Sequence, residues 1–209
     1  RNVAPEALEV RDWESGDKKG RQIVTPVGTL SMEWVYGGAE ADTWYLIGHP
    51  LKTEEDFKVQ LWIEENTRLE ANFAKAHERL RDFADRELCI AMLLPRCKSA
   101  FQAMVETLVG TEELIYALCD FPETVDALWE AMVDKNLQAA RIAAESRFEF
   151  FLTWEDSSTQ NYSPAQYSRY IAPEISQWCE ILAHNSKKYI QHACGHLKAL
   201  LPIIDRKSV

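Results

Sequence analysis

The stretch that decides the fold is LCIAMLL, Leu88–Leu94, which is stopped by Pro95. It is too short for a further amphipathic helix, and its apolar residues do not alternate with polar ones. Such a run is typical of a strand buried on both faces of a parallel sheet. Two more strands are predicted further along the chain, at Phe148–Trp154, which leads into Glu155 and Asp156, and at Lys188–Cys194, which Gly195 closes.

Helical patterns separate the three predicted strands. Strands and helices that alternate over such lengths imply parallel strands joined by right-handed crossovers, so the fold class is α/β. A barrel and an open doubly wound sheet both fit this pattern, and three strands alone cannot close a barrel. The helical segments cover residues 98–109, closed by Gly110, then run from Pro122 towards Arg147, from Ser163-Pro164 across Pro173, where a kink is expected, and from His196 to Ile204.

The N-terminal part of the chain has the pattern of antiparallel β-structure. Apolar and aromatic runs between residues 8 and 36 flank the turn-rich segment Ser15–Gly20, which is a hairpin signal. Lys18, Lys19 and Arg21 form a basic cluster, which we expect to be solvated on this turn.

A helical pattern begins after the hairpin region. Thr53 followed by three acids is an N-cap with negative charge in the first helical turn, and an apolar stripe runs from Leu69 to Phe83. No internal repeat and no Gly-, Ser- or Pro-rich linker divides the chain. We therefore predict one domain over residues 1–209, with the N-terminal antiparallel hairpin as an excursion from it.

Composition excludes several classes of partner. The chain has 209 residues, of which 23 are basic and 33 acidic, and the net charge of −10 disfavours nucleic acid and anionic membrane surfaces. No apolar run reaches the length of a membrane span, and no signal peptide opens the chain. The five cysteines are odd in number and form no CxxC, which indicates a reducing, cytoplasmic setting. Because the chain starts at Arg1 without Met and stops at Val209 after a helix-like run, we expect a fragment.

The sharpest chemical feature is His192-Ala193-Cys194-Gly195, at the end of the third predicted strand. Residues two apart on a strand point to the same face, so His192 and Cys194 can aim an imidazole nitrogen and a sulfur at one point. Imidazole and thiolate together are typical zinc ligands, and parallel α/β folds place their active sites at this end of the strands. A buried cysteine beside a hydrogen-bonded histidine is the structural alternative.

Two acids end the second predicted strand at the same edge. Glu155 and Asp156 are neighbours, so at most one of them enters the centre unless the strand has already ended. Such a carboxylate would orient or protonate a substrate, or complete a metal shell; the alternative is an acid that caps the following loop. His77-Glu78 begins like the zincin motif HExxH, but Arg81 stands where the second histidine would be. His196 is a candidate outer donor to a metal ligand.

Several segments of the chain together resemble one protein family. The segments are Thr25-Pro26-Val27-Gly28-Thr29-Leu30, His49-Pro50-Leu51, Gly110-Thr111-Glu112-Glu113, Phe121-Pro122-Glu123, Trp154-Glu155-Asp156, Ser158-Thr159-Gln160, Tyr162-Ser163-Pro164, Ile171-Ala172-Pro173 and His192-Ala193-Cys194-Gly195. They resemble the uroporphyrinogen decarboxylase superfamily, and most closely its cobamide-dependent methyltransferase branch. This resemblance implies a (β/α)8 TIM barrel, of which the chain would be the middle, without the first strand region and the last few strands.

The resemblance also implies a function. In the methyltransferase branch, the histidine and cysteine that match His192 and Cys194 are two zinc ligands, and a third cysteine lies nearer the C-terminus, at a position that this chain does not contain. We therefore expect a zinc-dependent enzyme that moves a methyl group between a corrinoid (cobalamin) on a partner protein and a small thiol, with Glu155 or Asp156 tuning or completing the metal shell. The alternatives are a uroporphyrinogen decarboxylase, a lyase that needs no metal, and a non-catalytic member of the superfamily. A homodimer is left open.

Overall fold

The computed structural model describes residues 2–83, 89–93 and 95–205. The chain is a mixed α/β protein that divides into two compact units. The first unit comprises Arg1–Val3, Arg68–Ala103 and Met132–Val209, and the second comprises Ala4–Thr67 and Met104–Ala131. The single domain expected over residues 1–209 stays a prediction.

The secondary structure follows in chain order. The strands are β1 (Asn2–Val3), β2 (Glu9–Ser15), β3 (Lys18–Thr25), β4 (Gly28–Tyr36), β5 (Trp44–Gly48), β6 (Arg68–Leu69), β7 (Ile90–Met92), β8 (Phe150–Glu155) and β9 (Lys188–Ala193). The helices are α1 (Gly38–Ala41), α2 (Glu54–Asn66), α3 (Ala74–Phe83), α4 (Ala100–Ala103), α5 (Thr111–Asp120), α6 (Pro122–Ala144), α7 (Pro164–Gln166), α8 (Ala172–His184) and α9 (Leu201–Asp205), with π-helical turns at Met104–Leu108 and Tyr167–Ile171. Within residues 2–83, 89–93 and 95–205, no helix combines the length and apolar character that a bilayer span requires.

The first unit contains the predicted parallel sheet. Its strand order is β7-β8-β9, and both pairings are parallel, with Ile90 opposite Phe150 and Glu155 opposite Ala193. The prediction of three parallel strands is confirmed. The two ends of the first predicted strand, Leu88 and Leu94, lie outside the described residues. In the part of the chain that the structure describes, these strands form an open three-stranded sheet, and no closed barrel is shown.

The two faces of the parallel sheet differ in burial. On β8, Phe151, Thr153 and Glu155 are buried on one face. On the other face, Ile90, Met92 and Trp154 keep 43%, 37% and 46% of their surface exposed. The prediction that Leu88–Leu94 is buried on both faces is therefore wrong for Ile90 and Met92, because an apolar run predicts two apolar faces and does not say that both are covered.

The segment before α8 shows how the chain accommodates Pro173. Ser163 caps α7 with a capping box, since its hydroxyl accepts from the Gln166 amide at 3.2 Å and the Gln166 side chain accepts from the Ser163 amide at 2.8 Å. The π-helical turn then leads directly into α8, where Pro173 lies in the first turn. The helical backbone runs through this junction without a break, since the Ala172 amide donates to the Tyr167 carbonyl in the π-helical turn. The kink expected at Pro173 stays a prediction.

The second unit contains an antiparallel sheet with the strand order β2-β3-β4-β5. The predicted hairpin is confirmed, and β5 extends it to four strands. The turn between β2 and β3 is short, and Ser15 already pairs with Lys18. Lys18, Lys19 and Arg21 therefore lie on β3, and their prediction as turn residues is wrong.

Helix α2 packs on this sheet. The N-cap predicted at Thr53 is confirmed, and the structure shows a full capping box, since Thr53 Oγ1 accepts from the Asp56 amide and Asp56 accepts from the Thr53 amide at 2.9 Å. Gly28 of β4 lies so close to α2 that a Cβ atom there would be 2.6 Å from Val59 Cγ2.

Two predicted helices begin later than expected. Arg68–Leu69 is a strand that pairs with β1, and the apolar stripe becomes helical only at Ala74. Similarly, the helical run predicted from His196 is helical only over Leu201–Asp205.

Candidate active site at the carboxyl ends of β8 and β9

The carboxyl ends of β8 and β9 bring two predicted site residues into contact. Because Glu155 pairs with Ala193, the next residues of the two strands, Asp156 and Cys194, leave the sheet side by side. The Cys194 thiol donates to Asp156 Oδ1 at 3.4 Å. The parallel register thus places a sulfur and a carboxylate together at the edge where parallel folds carry their chemistry.

His192 lies on β9, two residues before Cys194, and both side chains are exposed. Its ring packs edge to face on Trp154, its register partner on β8, with the ring centroids 4.6 Å apart. Within the described part of the chain, neither imidazole nitrogen makes a hydrogen bond. The aromatic contact therefore restrains the imidazole and leaves its nitrogens available to a ligand.

The loop after β8 holds Asp156 in place. The Asn161 side-chain amide donates to Asp156 Oδ2 at 3.4 Å, and the Tyr162 hydroxyl donates to the Asp156 carbonyl at 3.2 Å. The same loop is tied to the end of β9, because Ser158 Oγ accepts from the His196 amide at 3.3 Å. His196 thus takes part through its backbone, and its imidazole is exposed.

Gly195 permits this close approach of the two loops. Its φ of +101° lies in the region that L-residues with side chains rarely adopt. A Cβ atom at this position would be 2.7 Å from Ser158 Cβ and 3.2 Å from Asp156 Oδ1. The glycine that follows His192-Ala193-Cys194 is therefore required by the backbone and by the space around Asp156.

The contact with Asp156 also affects the ionisation of the cysteine. The hydrogen bond to the Asp156 carboxylate raises the pKa of the Cys194 thiol, because loss of the proton would leave two negative charges side by side. A bound cation would remove this penalty and take the place of the proton.

Glu155 lies on the other face of β8 and does not join this group. It is fully buried, and its carboxylate accepts hydrogen bonds from the backbone amide and the hydroxyl of Ser99. Burial raises the pKa of Glu155 to about 8. Of the two acids predicted for the site, the structure brings only Asp156 to Cys194.

A second buried carboxylate, Glu174 of α8, lies near Glu155. It accepts from the Ala100 amide at 2.8 Å and from the Asn136 side chain at 2.7 Å. The two acids together bind the amides of Ser99 and Ala100, where α4 begins. Sequence reasoning missed Glu174 and its partners, because an acid in the first turn of a helix predicts a solvated side chain.

The buried Glu174 makes stability depend on pH. Burial raises its pKa from 4.5 to about 7. Because the folded-state pKa is the higher one, the stability that Glu174 contributes is fully present below the unfolded pKa of about 4.5 and is lost as the pH rises through about 7. We expect the free energy of unfolding to fall over this window by up to about 1.4 kcal/mol per pH unit for this proton.

Denaturant unfolding of Glu174→Gln at a series of pH values checks this expectation. In Glu174→Gln, the free energy of unfolding should fall less steeply with pH than in the wild type. Glu145→Gln, which changes an exposed acid of the same unit, should keep the wild-type pH dependence. Equal slopes in wild type and Glu174→Gln would contradict the expectation.

Two other histidines have structural surroundings. His77 Nε2 accepts from the Arg147 amide at 3.2 Å, and its ring stacks on Phe73 with centroids 5.3 Å apart, so the broken zincin motif is part of the packing. In the second unit, the His49 ring packs against Gly110, and its buried Nδ1 has no hydrogen-bond partner among the described residues.

The donor atoms at the β8–β9 edge are of the types that bind zinc. Two ligand atoms on a tetrahedral zinc, with bonds of about 2.1 and 2.3 Å, lie roughly 3.6 Å apart. The Cys194 Sγ to Asp156 Oδ1 separation of 3.4 Å is close to this value. Within residues 2–83, 89–93 and 95–205, however, no three His, Cys, Asp or Glu side chains converge as a metal site. The cysteine and the aspartate thus fit as neighbouring ligands, and His192 would have to turn towards them.

No protein-family model matches the chain, and the searches of curated proteins and of solved structures found no match. The family resemblance of the sequence motifs therefore stays a prediction.

Proposed function

We propose that the protein is a zinc-dependent methyltransferase that moves a methyl group between a corrinoid on a partner protein and a small thiol. The observation that carries the proposal is the 3.4 Å contact between the Cys194 thiol and the Asp156 carboxylate. The His192 imidazole, two residues before Cys194, makes no hydrogen bond within the described residues. The resemblance of His192-Ala193-Cys194-Gly195 to the zinc-binding motif of the methyltransferase branch supports it.

We further propose that the parallel sheet is an arc of a (β/α)8 barrel. Ile90, Met92 and Trp154 share one sheet face with His192, and all four are exposed. The inward face of such a barrel is filled by large apolar side chains, and its catalytic residues lie at the carboxyl ends of the strands. Both properties support the assignment of this face to the barrel interior.

Each residue of the candidate site has a role in the proposed reaction. His192 and Cys194 hold the metal, and Asp156 is a further ligand or takes the Cys194 proton as the metal binds. A zinc ion held there would lower the pKa of a thiol substrate, so that the substrate reacts as a thiolate. The exposed His192 ring, which packs on Trp154, would turn towards Cys194 to bind the metal, and Gly195 leaves room for the Asp156 carboxylate.

Metal analysis of the purified chain tests the zinc site. We expect about one zinc per chain, and a more than about 100-fold weaker zinc affinity in His192→Ala and Cys194→Ala, since even outer-shell changes cost 10–100-fold. The matched controls are His184→Ala and Cys119→Ala, which remove exposed side chains of the same types. Unchanged stoichiometric zinc in both site variants would rule out the assignment.

A pair of incubations tests the reaction. With methylcobalamin and a thiol, the zinc-loaded protein should form the methyl thioether, and Cys194→Ala should not. Decarboxylation of uroporphyrinogen without metal would instead support the decarboxylase alternative and contradict the proposal.

A further inference from the structure

A cavity of about 590 Å³ lies on the antiparallel sheet of the second unit, and the proposed methyltransferase chemistry does not use it. Its lining includes Lys19, Trp34 and Trp44. Glu14, Lys19 and Trp34 are register partners on β2, β3 and β4, so their side chains point to the same face of the sheet. Lys19 Nζ lies 4.2 Å from the centroid of the Trp44 ring.

Of the two cationic side chains that line this cavity, Arg21 forms an ion pair and Lys19 forms none within the described residues. Arg21 makes a two-pronged pair with Asp12, with N–O distances of 2.7 and 2.9 Å. Lys19 has no carboxylate partner within the described residues, although Glu14 is its direct neighbour across the strand pair. The ammonium group of Lys19 therefore lies on the Trp44 indole face and forms no direct ion pair within the described residues.

We propose that this cavity binds a flat aromatic carboxylate, with its ring stacked on the Trp34 indole and its carboxylate on the Lys19 ammonium. Indole faces stack well on flat rings, and an ammonium donates strong, charge-assisted hydrogen bonds to a carboxylate. A cationic group placed at the Lys19 ammonium would be repelled by it, and a neutral ring would form no ion pair with it. The volume lies within the range of about 300–1,000 Å³ that is usual for small-molecule sites, so an acid of one or two fused rings fits.

The proposal does not rest on the zinc site. All its residues lie in the second unit, whereas His192, Cys194 and Asp156 lie in the first. A protein that binds no zinc can therefore still bind the aromatic acid.

Calorimetric titration with three probes of the same ring tests the proposal: 2-naphthoate, the neutral 2-naphthylmethanol and the cationic 2-naphthylmethylammonium. We expect 2-naphthoate to bind the wild-type chain at least about tenfold more tightly than either of the others. Tighter binding of the cation, or no binding of 2-naphthoate, would overturn the proposal.

Variants show whether Lys19 is responsible. Lys19→Met should weaken 2-naphthoate binding about tenfold or more and leave the neutral probe within about twofold. The matched control is Lys18→Met, because Lys18 is the preceding residue of β3, points to the opposite face and pairs with Glu33 at 2.7 Å.

Glu14→Gln should strengthen 2-naphthoate binding by removing a nearby negative charge. Equal losses in Lys18→Met and Lys19→Met would contradict the site, and circular dichroism confirms that each variant is folded.

Discussion

Replacing Gly195 by alanine is expected to destabilise the first unit and to abolish zinc binding. The new Cβ atom would be 2.7 Å from Ser158 Cβ and 3.2 Å from Asp156 Oδ1, in a backbone conformation with φ of +101°. The loop after β8 must then move away from β9, which separates Asp156 from Cys194. Overpacking of this kind costs about 1–3 kcal/mol in addition to the backbone strain.

The variant Gly16→Ala separates the cost of backbone strain from the cost of overpacking. Gly16 also has a positive φ, of +62°, and a Cβ atom there would meet nothing within 4 Å. It should therefore lose only the backbone part of the stability and keep full zinc affinity. Denaturant unfolding and zinc titration measure both properties. Equal loss of stability and zinc affinity in the two variants would show that the space around Asp156 is not what requires a glycine.

Replacing Phe101 by alanine is expected to have the largest effect on stability, about 3–5 kcal/mol. Phe101 is 1% exposed, and its ring stacks on Tyr170 with centroids 4.6 Å apart and lies edge to face with Tyr162. The Tyr162 hydroxyl donates to the Gln102 side chain at 2.9 Å and to the Asp156 carbonyl. Loss of the Phe101 ring therefore creates a cavity and loosens the tyrosine that holds the site loop, so zinc affinity should fall as well.

Two further variants make this expectation specific. Leu201→Ala removes an apolar side chain of the same unit that is 52% exposed, and it should change the free energy of unfolding by less than about 0.5 kcal/mol. Tyr162→Phe keeps the ring and removes only the hydroxyl, so it should weaken zinc binding with a stability loss of about 1–3 kcal/mol. Zinc affinity that is unchanged in Phe101→Ala and Tyr162→Phe would show that this packing does not reach the site.

The parts of the fold that local signals determine could be predicted from the sequence. The three strands lie between helical segments of the sequence, and their parallel direction follows from crossovers of that length. The capping boxes at Thr53 and Ser163 are equally local, since each involves residues within one helical turn.

The parts that depend on register and on distant partners could not be predicted. Lys18, Lys19 and Arg21 resemble turn residues in sequence, but β3 pairs along its length with β2 and β4. Lys18 and Arg21 meet the cross-strand partners Glu33 and Asp12. Leu69 continues an apolar stripe, yet it pairs with Asn2, which lies far away in the chain. In both cases tertiary contacts override the local pattern.

In the candidate site, too, some features follow from the local sequence and others depend on distant residues. The alternation of a strand predicts that only one of Glu155 and Asp156 can face the site, and it does not say which one. The choice depends on Ser99, which binds Glu155 from a distant part of the sequence, and on Cys194, which contacts Asp156. Glu174 and Asn136 carry no local signal at all, because their side chains become buried only when α8 and α6 pack together in the first unit.

X-ray absorption spectroscopy of the zinc-loaded protein tests the central claim most directly. If Cys194 and its neighbours hold the metal, the zinc has sulfur at about 2.3 Å together with nitrogen or oxygen at about 2.0–2.2 Å, and the sulfur contribution decreases in Cys194→Ser. A zinc ion surrounded only by nitrogen and oxygen, or a sulfur contribution that Cys194→Ser leaves unchanged, would contradict the account.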